Sequence, residues 1–140
     1  MGENLHGKVA IVTGASRRIG AATARALHAA GASVVVHHRG ADDAAALVSE
    51  LERVRSGSTA RVQADLLHVD APRIVVESAL AAFGRIDLLV NNASMFYPTA
   101  VGDITATHWD ELVGSNLRAP LFLSQAAAPH LARAKGAIVN

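Results

Sequence analysis

"VAIVTGASRRIG" (residues 9–20) joins a β-branched apolar run to a turn bracketed by glycines, and the fold follows from how that junction is read. The apolar residues of Val9–Thr13 are continuous rather than alternating, which is the pattern of a strand covered on both faces. Gly14 and Gly20 bracket the passage into an alanine-rich stretch, residues 18–30, which predicts a helix stopped by Gly31. The start of a helix is its positive pole, so Arg17 and Arg18 carry the wrong sign there, a misfit of roughly 0.3–1 kcal/mol per charge. An anion at the turn removes the misfit, because backbone N–H groups and the helix dipole already favour one.

Four further apolar runs follow: "SVVVHH" (33–38), "ARVQADL" (60–66), "RIDLLVNNA" (85–93) and "GAIVN" (136–140). Helix-length stretches separate them. Residues 41–55 place Asp42 and Asp43 in a first turn and Arg53 and Arg55 in a last one, matching the helix dipole. Asp70 stands where it can cap the next helix, Pro72 in its first turn and Gly84 at its end. Right-handed crossovers between these units predict an α/β, Rossmann-like doubly wound parallel sheet. Its helices cover both faces, its strand order is 3-2-1-4-5, and it forms a single domain over residues 1–140 ending on the fifth strand.

The last helical stretch runs from about Thr105 to Arg133. Trp109, Leu112, Val113, Leu117 and Leu121 make an apolar stripe at helical spacing that predicts a buried face, and Asn116 falls on it. Pro120 displaces the carbonyl of Asn116, four residues earlier, from normal helix bonding. A buried asparagine beside a freed carbonyl is either a satisfied kink or part of a polar relay.

Composition narrows the function. The chain is 51% hydrophobic and 18% charged, with a formal net charge of +1 that leaves no excess to neutralise a nucleic-acid backbone. No cysteine is present, so disulfides, thiolate metal sites and thiol nucleophiles are excluded. No window of about 18 apolar residues predicts a membrane span, and no leader-like segment opens the sequence. A cytoplasmic protein is expected. None of the seven histidines forms a close ligand pair, which argues against a metal. No G-x-S-x-G elbow surrounds Ser16 or Ser124, which argues against a hydrolase. Asp87 reads as a positioning residue at a helix–strand turn, and Asp103, Asp110 and Glu111 as solvated or capping residues.

The end of the second run carries no acid. A carboxylate there binds an adenosine ribose 2′-hydroxyl and repels a 2′-phosphate, but this chain offers His37, His38 and Arg39, then Gly40. Arg17 and Arg39 are placed to clamp a 2′-phosphate between them, with His37 or His38 as supporting donors. The plainer alternative leaves Arg17 and Arg18 as solvated surface residues.

"TGASRRIG" (13–20), "ADL" (64–66), "NNAS" (91–94) and "SNLRAP" (115–120) resemble, in order and spacing, the motifs of the short-chain dehydrogenases/reductases, from Lys8 to Asn140. Arg18 in place of the family's middle glycine, and "NNASMFYPT" (91–99), are similar to the pteridine reductases. The resemblance implies that Gly14, Ser16, Arg17, Arg18, Ile19 and Gly20 line the pyrophosphate and adenosine side of NADP(H). It places His38 and Arg39 by the 2′-phosphate, Asp65 and Leu66 by the adenine, and Asn92, Ala93 and Ser94 by the ribose and nicotinamide. Asn116 corresponds to the family's helix asparagine, which steadies a water in a proton relay. Ser94 and Phe96 would contact a pterin, Phe96 by stacking on it; the alternative is that Phe96 and Tyr97 merely pack a loop against Pro98.

The family's Tyr-x-x-x-Lys pair follows the fifth strand, and Tyr97 is followed four residues on by Val101. The expectation is therefore a cofactor-binding half without its general acid, inactive alone, with an apolar sheet edge at the fifth strand. The implied partner is a small molecule, pterin or folate-like, and the full-length form is a homo-oligomer. A non-catalytic dinucleotide module and a carbonyl or 3-oxoacyl-type reductase are the alternatives.

Overall fold

The computed structural model describes residues 4–40 and 44–140. In chain order the elements are β1 (Val9–Val12), α1 (Arg18–Ala29), β2 (Ser33–His38), α2 (Ala45–Val54), β3 (Thr59–Gln63), α3 (Ala71–Phe83), β4 (Leu88–Val90), α4 (Ala106–Val113), α5 (Ala119–Ala134) and β5 (Ala137–Val139). The strands form one parallel sheet in the expected order β3-β2-β1-β4-β5. Asp42 and Asp43, expected in the first turn of α2, lie outside the described residues.

Helices cover both faces, which is why the strand runs lack polar alternation. On one face Val9, Ile11 and Val35 pack with Val75, Val76 and Ala79 of α3 and with Leu123, Ala127 and Leu131 of α5. On the other, Val12, Val34 and Val36 pack with Ala21 and Ala24 of α1 and Leu47 and Leu51 of α2. Pro72 starts α3 and Gly84, at φ 72°, ends it. Asp70 precedes α3 but its side chain caps nothing; it is exposed and lies 3.8 Å from Arg73. β5 is the outer strand, and Ile138 and Val139 are exposed along it.

The buried carboxylate of Asp87 fastens β4 to β1 at the end of the sheet opposite the cavity described below. It accepts from the Val9 N–H at 3.0 Å, from Arg85 in two bonds at 2.7 and 2.6 Å, and lies 3.3 Å from Lys8. Burial works to raise this carboxyl, but Arg85, the Val9 N–H and Lys8 together hold it below the usual carboxylate value. A depressed acid contributes stability above its unfolded pKa, and that stability disappears as pH falls through the folded value. Asp87→Asn is therefore expected to cost about 1–2 kcal/mol near neutral pH. The gap between denaturant melts of the two proteins should begin to close as pH falls below about 4 and vanish only below the depressed folded value; a gap independent of pH would show that charge at this position is irrelevant.

The long helical stretch divides. Between α4 and α5, residues Gly114–Arg118 form a π-helical turn in which the Ala119 N–H reaches back to the Gly114 carbonyl. Pro120 has no N–H to return to Asn116, and the wider turn absorbs the mismatch. The extra residue shifts the helical phase by about 100°. The buried ridge is consequently Ala119, Leu123, Ala127 and Leu131, spaced by four. Of the stripe expected to be buried, Leu112 and Val113 are half-buried, whereas Trp109, Leu117 and Leu121 are all more than half exposed. Thr105, rather than any of the nearby acids, caps α4, with His108 completing a reciprocal capping box. Among the described residues no helix is long and apolar enough to cross a membrane.

Candidate functional site

Parallel β1 and β4 are neighbours, whereas β2 lies on the other side of β1, so the chain reverses direction across the sheet at β1. Crevices for ligands open at such a point, beyond the carboxyl ends of the strands. A cavity of about 500 Å³ lies there. Its lining brings together Gly14, Ser16, Arg17, Arg18, Ile19 and Gly20 from the β1–α1 loop, Arg39 from the end of β2, Asp65 and Leu66 from beyond β3, and Asn92, Ala93 and Ser94 from beyond β4.

The loop is held by its backbone. Thr13, buried at the end of β1, accepts through Oγ1 from the N–H groups of both Asn92 and Ala93 at 2.9 Å. Asn92 donates from Nδ2 to the carbonyls of Thr13 (2.9 Å) and Gly14 (3.2 Å). Gly14 takes φ 59°, a left-handed conformation natural to glycine. Arg18 takes φ 50°, a strain of about 1 kcal/mol for a residue with a Cβ. The backbone thus keeps the shape of a glycine position while an arginine occupies it. Strain of this kind persists where a side chain is needed for function.

The electrostatics are one-sided. Arg17, extended at φ −155°, precedes α1 and offers no side-chain cap, and the first turn of α1 holds no acid. Among the described residues no carboxylate lies within ion-pair distance of Arg17, Arg18 or Arg39. Asp65 is the acid of the lining, and its Oδ1 accepts from the Leu67 N–H at 3.0 Å. Three guanidinium groups, a helix N-terminus and flanking Ile19 and Leu66 fit a phosphorylated, partly aromatic ligand such as a dinucleotide.

Three expected residues stand elsewhere. His38 is buried with Nδ1 against the Gly40 carbonyl and does not line the cavity; its neighbour His37 does. Successive residues of a strand point to opposite sides, so only one of the pair can face the crevice. Asn116 is exposed rather than buried, because its amide clasps the loop beyond β4 at the rim. Nδ2 donates to the Met95 carbonyl at 2.7 Å and Oδ1 accepts from the Met95 N–H at 3.1 Å. Phe96, next along that loop, is 88% exposed and outside the lining.

Tyr97 is likewise absent from the lining. Its hydroxyl donates to Glu111 at 2.6 Å, and this bond to a carboxylate pushes the phenol up to about 12. The tie holds the loop to α4 and leaves the phenol a weak acid. Thr13, Leu67, Met95 and Ser115 build or line the site without having been assigned to it from sequence, and His37, weighed there only as the alternative to His38, lines it as well. Thr13, Met95 and Ser115 stand within the quoted motifs "TGASRRIG", "NNASMFYPT" and "SNLRAP", whereas Leu67 carries no signal outside the folded chain. Among the described residues no group of three His, Asp or Glu side chains is arranged to hold a metal.

A family model of the short chain dehydrogenases matches residues 8–140. An uncharacterized oxidoreductase of Methylorubrum extorquens is 40% identical over 136 residues, covering 97% of this chain and 54% of that protein. Pteridine reductase 1 of Leishmania tarentolae is 38% identical, covering 89% of this chain and 54% of its own length. The chain thus spans about half the length of these curated relatives. A metagenomic short-chain oxidoreductase, solved in complex with NADP, superposes with a TM-score of 0.89 at 40% identity, covering 97% of this chain and 62% of that one. The chain belongs to the short-chain dehydrogenase family.

Proposed function

We propose that the cavity binds NADP(H) and that the protein is an NADPH-dependent reductase of the short-chain type acting on a small molecule. The observation that carries this reading is the convergence of Arg17, Arg18 and Arg39 on the start of α1, with no described carboxylate paired to them. Arg17 and Arg39 would hold the 2′-phosphate, and Gly14, Ser16, Ile19 and Gly20 the pyrophosphate side. Leu66 and Asp65 would border the adenine. When bound, the nicotinamide supplies a hydride. The chain's own contribution there would be Asn92 and Ala93, fixed by Thr13 and therefore preorganised, together with the adjacent Ser94 of the lining.

A pterin or dihydrofolate-like ring is the favoured substrate. Ser94 in the lining and the "NNASMFYPT" loop support it, together with the likeness to a pteridine reductase. Phe96 would then stack on the ring from the cavity mouth, and Asn116 would serve the site by holding the Met95 backbone. A homo-oligomer is also part of the reading, supported by the exposed apolar residues Trp109, Leu117 and Leu121. Titration of the wild-type protein with NADPH and NADH tests the cofactor assignment. NADPH should bind tighter by about 100-fold, the worth of a clamped phosphate; equal affinities would end the assignment of Arg17 and Arg39.

A further inference from the structure

His37 is 2% exposed, lines the cavity and has both ring nitrogens and its carbonyl hydrogen-bonded. Its Nδ1 lies 3.1 Å from the Gly14 nitrogen and accepts that N–H. Its Nε2 lies 3.0 Å from the Ala64 carbonyl, which can only accept, so Nε2 carries the proton. Its own carbonyl accepts from the Ala15 N–H at 2.9 Å. One residue therefore grips the phosphate loop at two consecutive amides and ties it to the chain leaving β3. This arrangement admits one state of the ring: uncharged, with hydrogen on Nε2. A second proton, on Nδ1, would aim an N–H at the N–H of Gly14, and the left-handed turn at φ 59° would lose its anchor.

We propose that His37 is the positioning residue of the phosphate loop, and that its protonation unseats Gly14 and weakens binding of the dinucleotide at this cavity. The second half rests on the NADP(H) reading given above; the first stands on the unliganded geometry.

The charged groups around the ring are few. His38 follows it on β2, Arg39 comes next, Arg17 and Arg18 approach from the β1–α1 loop, and Asp65 stands beyond β3. Burial opposes charging of the imidazole and His38 adds to this; the Ala64 carbonyl and Asp65 work the other way, and the balance lies below the ordinary histidine value. The uncharged form accordingly prevails at neutral pH, and the loop is lost only on acidification. The 2′-phosphate of NADP(H) titrates too, near pH 6 by analogy with other phosphomonoesters, so the pH dependence must be separated by variants.

His37→Asn keeps an acceptor oxygen near the position of Nδ1 and does not titrate. His37→Phe keeps the ring and removes the acceptor. NADPH affinity is measured for the wild type and both variants between about pH 7.5 and about pH 5. At neutral pH, His37→Phe should bind about tenfold or more weakly, since the Gly14 N–H is left unpaired, whereas His37→Asn recovers most of that loss. On acidification the wild type should lose affinity about fivefold more than His37→Asn, in which only the phosphate titrates.

Equal acid losses in wild type and His37→Asn, or neutral-pH binding by His37→Phe equal to wild type, would overturn the proposal. Imidazole ¹⁵N shifts of the unliganded wild type give an independent reading and must report the Nε2–H form at neutral pH; an Nδ1–H ring would refute the loop anchor outright. Wild-type protein that binds no NADPH at any pH would instead overturn the cofactor reading, and with it the dinucleotide half of this proposal.

Discussion

Arg39→Asp is expected to invert the coenzyme preference, with NADPH affinity falling about 100-fold and NADH affinity rising. The fall follows from two effects. A charge-assisted bond to phosphate, worth about 1.5–3 kcal/mol, is lost, and a carboxylate is placed against the phosphate. The rise has a separate cause, because an acid at the end of β2 accepts from a ribose 2′-hydroxyl. Arg39 stands at that position, on the rim of the cavity and with no described carboxylate partner to be orphaned by the change. Fluorescence titration with each nucleotide reads both effects. Arg17→Ala and Arg39→Ala should then be combined in a double-mutant cycle. Two guanidinium groups gripping one phosphate give losses that fail to add. Additive losses, or an unchanged NADPH-to-NADH ratio in Arg39→Asp, would remove the clamp from the account.

The parts of the site that the sequence made legible are those fixed by backbone requirements. Gly14 and Gly20 announce a tight strand-to-helix passage wherever they are placed in space. Pro72, Gly84 and Pro120 act within one turn of their own position, so the start and stop of α3 and the distortion before α5 could be located without tertiary information. The strand order followed from the alternation of elements and the handedness of their connections.

What could not be located were the side chains whose direction depends on phase. Every residue of β2 from Val34 to His38 is buried, because the strand is covered on both faces. A doubly covered strand has no polar alternation to mark which of two adjacent histidines looks into the crevice; the residues left both open, and it is His37 that lines the cavity. The stripe from Trp109 to Leu121 broke differently, since one additional residue in the π-helical turn shifts the phase of Leu121 and everything beyond it relative to Trp109. Asn116 sits inside that turn, and its partners on Met95 are twenty-one residues away in the chain. No local pattern records such a contact.

The largest single effect on the fold is expected from Gly20→Ala. The methyl group would stand 2.2 Å from the Gly14 carbonyl oxygen, 2.5 Å from Asn92 Nδ2 and 2.9 Å from the Ala15 Cα. Two of those atoms are backbone. The third, Asn92 Nδ2, is committed to the Thr13 and Gly14 carbonyls and cannot swing aside without releasing them. Helix α1 would have to withdraw from the loop, opening the packing of Ala21 and Ala24 against β1 and β2. Overpacking without an escape route costs about 3 kcal/mol, and NADPH binding should disappear with the loop geometry. Gly84→Ala supplies the contrast. Its Cβ would meet nothing within 4 Å, and only the backbone at φ 72° resists, a penalty of about 1 kcal/mol. Denaturant midpoints of the two variants separate the mechanisms, since one glycine is required by contact and the other by conformation. Equal midpoints, with NADPH binding intact in Gly20→Ala, would mean that α1 does not rest against the loop and that the phosphate cradle derived from that contact is wrong.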